Sequence, residues 1–509
     1  MKKYLVITIV LIIILSACSD SSANDQVEGK SELVILQGVD ATTLDPIMHT
    51  DSPTGNIEYQ IFDTLLKRDN SMQLVTNIAT EYESLSDNEW RFKIRNDIYF
   101  HDGEKLKVED VIYSLERILN EETNSPRRGY YNSIINMKKL SDEELIIETA
   151  YPNPVLLSRL AELRIVPKHY VEEVGNSEFS QNPIGSGPYI FKSWIKDDEI
   201  RLSRNDNYWG ELAEIEEVVF KPVPETSSRV MSLQAKQADI ITNVPPHQIE
   251  EINADSDLEV AKVDSTRFIM LSFTMNNTNV ENPMVREAIN LAINRESIIQ
   301  NILSNNATIS NQPVCNFDLG YNPDVTGYNY DPEKAKELLK ESGKEDLKLK
   351  LQSPNGRYLM DKEVAEAIKA NLEEVGIEVE LQYIDWGAYV SSIISGEINA
   401  DLWLIGWGSS TFDAGTTLKQ WLHTSQTMSQ YKVSEEKNKE IDEAIDLGSS
   451  TVENSEREQI YQKIIEDISS DIPFVNLYQQ QNIYGKSKNV IFTPRSDEII
   501  DVSGIKFIE

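Results

Sequence analysis

The 84 aspartate and glutamate side chains would allow an acid–base pair to be proposed almost anywhere, so their abundance nominates no particular pair for general acid–base work. Sharper catalytic patterns are absent: there is no His-Glu-x-x-His, no phosphate loop ending in Gly-Lys-Ser/Thr and no Gly-x-Ser-x-Gly elbow. Ser193-Trp194-Ile195-Lys196 and Ser86-Asp87-Asn88 match two parts of a serine acyl-transfer signature. Their order is reversed and the third part, Lys-Thr-Gly, is missing. His49, His101, His169, His247 and His423 lie far apart without metal-ligand spacing, so no protein-made metal site and no cofactor is expected. Binding chemistry is better represented. Gln352-Ser353-Pro354-Asn355-Gly356-Arg357-Tyr358 is a turn-rich loop after the apolar run Leu347–Leu351, and loops at strand ends commonly face ligand clefts. Ser353 and Asn355 offer hydrogen bonds there, and the planar fork of Arg357 suits a carboxylate, although an arginine in an acidic chain also finds local partners. Arg127 and Arg128, after Pro126, are candidates of the same kind.

Other features place the chain rather than equip it. Lys2 and Lys3 precede an apolar run from Tyr4 to Leu15, too short to span a bilayer, and small residues follow, which predicts an export signal over residues 1–17. Leu15-Ser16-Ala17-Cys18 resembles a bacterial lipobox, which implies that Cys18 carries a diacylglyceryl group, and two or more acyl chains hold a protein stably on a membrane. Residues 18–30 then read as a flexible tether. Cys315 is left without a disulfide partner and reads as a small buried hydrophobe. A formal charge of −36 opposes binding to nucleic acid and to anionic headgroups.

Strand-like and helix-like segments alternate after Lys30, as in an α/β chain, and the length calls for more than one core. Leu33–Leu36, Trp90–Ile94 and Ile377–Leu381 read as strands. Apolar spacing predicts helices over Ile57–Leu66, Val108–Ile118 and Val285–Ile299, over Asp331–Leu339 behind an Asp-Pro start, and over Lys362–Val375 ahead of Gly376. Two prolines and two glycines between Asn182 and Tyr189 mark a candidate domain crossing.

In chain order, several blocks resemble the extracellular solute-binding proteins of family 5, across nearly all of the chain after the tether. They include Trp90-x-Phe92-x-Ile94-Arg95, Phe100-His101-Asp102-Gly103, Asp110-Val111-x-Tyr113-Ser114-Leu115-x-Arg117 and Ile165-Val166-Pro167-Lys168-His169. Gly185-x-Gly187-Pro188-Tyr189, Arg204-Asn205-x-x-Tyr208-Trp209-Gly210, Val285-Arg286-Glu287-Ala288-Ile289 and Tyr330-Asp331-Pro332 continue the series. The Trp90 to Arg117 blocks read as a strand, a turn and a helix, and so as architecture rather than a site. The resemblance implies a two-lobed, periplasmic-binding-protein-like (class II) α/β fold with an extra subdomain. The large lobe would hold residues 31–270 plus 485–509, with 71–182 as the subdomain, and the small lobe 271–484.

It also implies a role: a monomeric, lipid-anchored, extracytoplasmic receptor, not an enzyme, that passes a peptide-like solute to the permease and ATPase subunits of an ABC importer. The solute would be an oligopeptide, a dipeptide or a glutathione-like molecule, and the place the cell surface of a Gram-positive bacterium rather than a periplasm. A metal-chelate receptor or a signalling peptide sensor of the same fold are the alternatives. Peptide-binding relatives carry an aspartate three residues after a Gly-Trp, which pairs with the ligand's α-amino group. This chain reads Gly406-Trp407-Gly408-Ser409-Ser410-Thr411-Phe412-Asp413, with uncharged Ser410 at that place. The pattern is similar to the glutathione-binding branch, with Trp407, Ser409 and Ser410 as ligand contacts and Asp413 as the remaining acid for an ammonium. Trp407 also fits the role of a core aromatic.

Overall fold

A computed structural model describes residues 31–508, so the signal, Cys18 and the tether lie outside the described residues. Two long strands, Leu258–Phe273 and Phe474–Ser487, organise the molecule by pairing antiparallel along most of their length. The register shifts between Asp264 and Phe268, and that irregularity divides the sheet into two halves. Below it, Phe474–Ser487 pairs with Ile240–Ile241, and the sheet continues through Glu32–Gln37, Glu217–Pro222, Glu199–Arg204 and Tyr189–Ile195. Above it, Leu258–Phe273 pairs with Leu402–Gly408, followed by Lys348–Pro354 and Glu378–Ile384. Helices cover the sheet on both sides, giving two lobes joined by two crossing strands.

Apolar runs account for these strands, because both faces of the sheet are covered. Leu33 and Ile35 enter one core with Ile57, Ile61, Phe179 and Tyr189, while Val34 and Leu36 face the other with Val230 and Leu233. A third core fills a subdomain, where Ala79–Ser86, Glu89–Ile94, Glu144–Thr149 and Ile134–Lys139 form a four-stranded antiparallel sheet under the helix Val108–Leu119. Its His101 ring nitrogens contact the carbonyl of Gly187 (3.0 Å) and the amide of Gly185 (3.3 Å), and Asp102 meets His169 at 2.7 Å, so this block is architectural.

Two helices differ from the pattern-based expectation. Apolar spacing runs on to Leu66, yet the helix is Ser52–Ile61, capped by Asp51. Phe62 is extended, and Leu65 and Leu66 leave the helix to enter the subdomain core. Similarly, the helix Pro283–Ala292 stops before Ile293, and the Asn294 side chain caps a new turn by accepting from the Ser297 amide at 2.9 Å. The Asn182–Tyr189 segment returns the chain from the subdomain to the main sheet; the crossings between lobes lie in the two long strands. Its glycines press against the helix end: a Cβ on Gly185 would stand 2.0 Å from the Ile61 carbonyl oxygen. Gly185→Ala is expected to lose about 1–3 kcal/mol of stability in urea unfolding, through forced displacement of that helix end.

Candidate functional site

The space between the lobes is an open cleft of about 1790 Å³ that leads to an inner cavity of about 200 Å³. Thr50, Asp51, Trp386, Val390 and Met428 border both. Tyr59 and Arg68 reach the inner cavity from the first lobe, Arg127, Arg159 and Arg164 from the subdomain side, and Arg357, Trp386, Trp407 and Ser410 from the second lobe.

Of the residues nominated by sequence, four reach this cavity: Trp407, Ser410, Arg357 and Arg127, while Arg128 borders only the outer cleft. Trp407 ends the strand Leu402–Gly408, half-buried, donating from Nε1 to Thr417 Oγ1 (3.2 Å) and standing edge-on to Trp421 with ring centroids 5.4 Å apart. It is therefore a wall of the cavity and part of the core cluster at once. Ser410, on the following loop, has its Oγ 3.4 Å from Arg159 Nη1. Arg357 follows Gly356, whose φ of +81° aims the loop inward, and Asp361 fixes that loop by accepting from the amides of Gly356, Arg357 and Tyr358. Burial pushes the Asp361 carboxyl up to about 6, against those amides.

The other nominated residues are placed differently. Asn355 borders only the outer cleft. Ser353 is fully buried and donates to the Pro354 carbonyl, and Ser409 exchanges hydrogen bonds with Thr411 and the backbone of Asp413, so both hold their own loops. Asp413 corrects the expectation of an ammonium acceptor. One oxygen caps the helix Ala414–Leu422 through the Gly415 amide (3.0 Å), and the other accepts from Arg457 Nε (2.9 Å). Burial raises its carboxyl overall, with Arg457 opposing. Cys315 is buried, as expected of a small apolar residue.

Sequence reasoning missed most of the arginines. Arg159 lies over the Tyr130 ring at 3.9 Å, donates to Thr416 Oγ1 at 3.0 Å and faces Glu162 at 3.3 Å. Arg127 stands 3.9 Å from the same glutamate. Arg68 lies over Phe412 and donates to the Met72 carbonyl and to Ser158, and no carboxylate forms a salt bridge with it among the described residues. Arg164 donates to the Gly55 carbonyl and has Glu58 at 3.6 Å. Burial pulls the guanidiniums of Arg68 and Arg164 below the usual arginine range, with Glu162 and Glu58 opposing. Arg127 is nominated by its place after Pro126; for Arg68, Arg159 and Arg164 the signal is indirect, arginines in an otherwise acidic chain.

A two-lobed sheet, two crossing strands and a cavity between the lobes define the fold of the periplasmic binding proteins. Residues 73–429 match the bacterial extracellular solute-binding proteins, family 5 Middle, and the chain belongs to that family. It is 25% identical to the oligopeptide-binding protein AppA of Bacillus subtilis over 95% of this chain and 94% of that one. It is likewise 25% identical to the glutathione-binding protein GsiB of Pectobacterium atrosepticum, over 90% of each. The periplasmic binding protein DppA of Helicobacter pylori, solved with the peptide STSA, superposes with a TM-score of 0.86 at 25% identity, covering 94% of this chain and 98% of that one.

Because Asp413 is locked to Arg457 below the loop, Asp413→Ala is expected to lower stability by about 3–5 kcal/mol, read from urea unfolding, since it leaves a buried guanidinium unpaired.

Proposed function

We propose that this chain captures a peptide-like solute in the interlobe cavity and presents it, enclosed, to an ABC importer. The observation that carries this is the cavity itself: its polar groups come from both lobes and converge on a space that leads out to a wide cleft. A ligand touching both walls favours the closed arrangement by the difference between its contacts in the closed and open forms. The irregularity at Ser265–Arg267 in one crossing strand gives the lobes a short segment about which to move. Family membership, with relatives named for oligopeptide and glutathione binding, supports the peptide-like class.

The same reading makes the protein a receptor that returns its ligand unchanged. It also extends to the anchor: Cys18 carries the lipid, residues 18–30 span from membrane to lobe, and the body works as a monomer on the outer face of a cell membrane. Among the described residues no helix is long and apolar enough to cross a membrane. Purified protein is expected to bind short peptides or glutathione, to become more compact in small-angle scattering when it does, and to release them intact. Failure of every peptide and of glutathione to bind or to compact the protein would overturn the reading. Loss of peptide uptake in a deletion strain separates import from a purely signalling role.

A further inference from the structure

The inner cavity is cationic in a chain whose formal charge is −36. Its lining contains eight lysine and arginine side chains and only three carboxylates, those of Asp51, Glu162 and Asp497. None of the three is left over. Asp51 caps the helix Ser52–Ile61 through the Thr54 amide (3.0 Å) and stands 3.4 Å from His49. Glu162 lies between Arg159 and Arg127. Asp497 takes both Nε (3.0 Å) and Nη2 (2.7 Å) of Arg495. Counting Glu58 and Glu498, which lie behind the wall against Arg164 and against Arg267 with Arg357, cations still outnumber carboxylates by three.

The unmet hydrogen bonds point the same way. Among the lining residues, the buried side-chain polar atoms without a hydrogen-bond partner are Arg357 Nε, Trp386 Nε1 and Arg164 Nε, all donors, the last of them 3.6 Å from the Glu58 carboxylate behind the wall. Among the described residues the Arg357 side chain has no hydrogen-bond partner, although the residue is only 6% exposed and a Glu498 carboxylate oxygen stands 3.5 Å away. A buried guanidinium left short of acceptors is costly, and a ligand that brings acceptors relieves the cost. Ser410 completes the pattern, placing a hydroxyl rather than a charge against Arg159.

From the excess of cations, the unmet donors and the absence of a spare carboxylate, we infer that the cavity selects a compact ligand with at least two acidic groups and requires no free α-ammonium. This rests on the reading of the chain as a peptide receptor and narrows the substrate to acidic or amino-blocked peptides.

The test is a calorimetric titration of the purified protein with three sets of probes. The first is Glu-Glu and its N-acetyl form, the second is Gln-Gln, Lys-Lys and their N-acetyl forms, and the third is non-peptide polycarboxylates such as tricarballylate. Glu-Glu is expected to bind at least tenfold tighter than Gln-Gln, N-acetylation to change its affinity by less than about threefold, and Arg159→Lys, Arg357→Lys and Ser410→Asp each to weaken it roughly tenfold. Ser410→Asp adds its charge on a half-buried loop, and thermal unfolding of each variant separates weakened binding from lost fold. Tighter binding of Gln-Gln or Lys-Lys, or loss of binding on N-acetylation, overturns the charge inference while leaving the peptide reading in place. Binding of polycarboxylates alone overturns the peptide reading and upholds the charge inference. Silence from all three sets overturns both.

Discussion

Beneath the cavity, the carboxylate of Glu498 holds together segments that are remote in sequence. It accepts from Nε and Nη2 of Arg267, on the crossing strand, and stands 3.5 Å from Arg357, on the loop of the second lobe. Arg267 in turn donates to Ser52 Oγ at the start of the helix Ser52–Ile61 and to the Gly406 carbonyl. Burial disfavours a charge on Glu498, but Arg267 and Arg357 outweigh it and hold the carboxyl down to about 2. One anion therefore meets two cations. Arg267 takes both of its oxygens in the parallel, two-point geometry that arginine favours, and the share left for Arg357 is small. This unequal division supplies one of the cavity's three uncompensated positive charges.

Aromatic rings also hold the cavity's cations in place, and a ring neutralises no charge. Arg357 lies 4.8 Å from the Tyr358 ring centroid and 5.3 Å from that of Trp386, Arg159 lies over Tyr130, and Arg68 over Phe412. A ring face attracts a guanidinium and fixes its plane, yet leaves its N–H groups free to donate. A carboxylate in the same place would fix the side chain and also consume the donors, as Asp497 does for Arg495. Lysine would lose both the stacking and the two-point fork, so the cavity depends on arginine in particular.

Much of the fold was legible in the sequence. Asp331 starts a helix at Pro332–Glu341 and Gly376 ends one at Asp361–Glu374, because capping chemistry is local. Helix ends that depend on distant packing were not legible: Leu65 and Leu66 continue an apolar rhythm but belong to another core. The site divided in the same way. Trp407, Ser410 and Arg357 sit on a strand end or on turns, and strand ends and turns can be read. Asp413 misled because its partner Arg457 is 44 residues away in the chain. Arg68, Arg159 and Arg164 were missed because their convergence is a property of the assembled lobes, and no spacing along the chain records it.

If the cationic cavity takes up an acidic solute, the protein carries that solute when it is purified. Native mass spectrometry of the protein as isolated, with the released molecule then fragmented, identifies that solute. The expected result is a single intact, compact acid with two or more carboxyl groups, released when the protein is unfolded. A neutral or basic peptide with a free amino terminus, held at full occupancy, would contradict it.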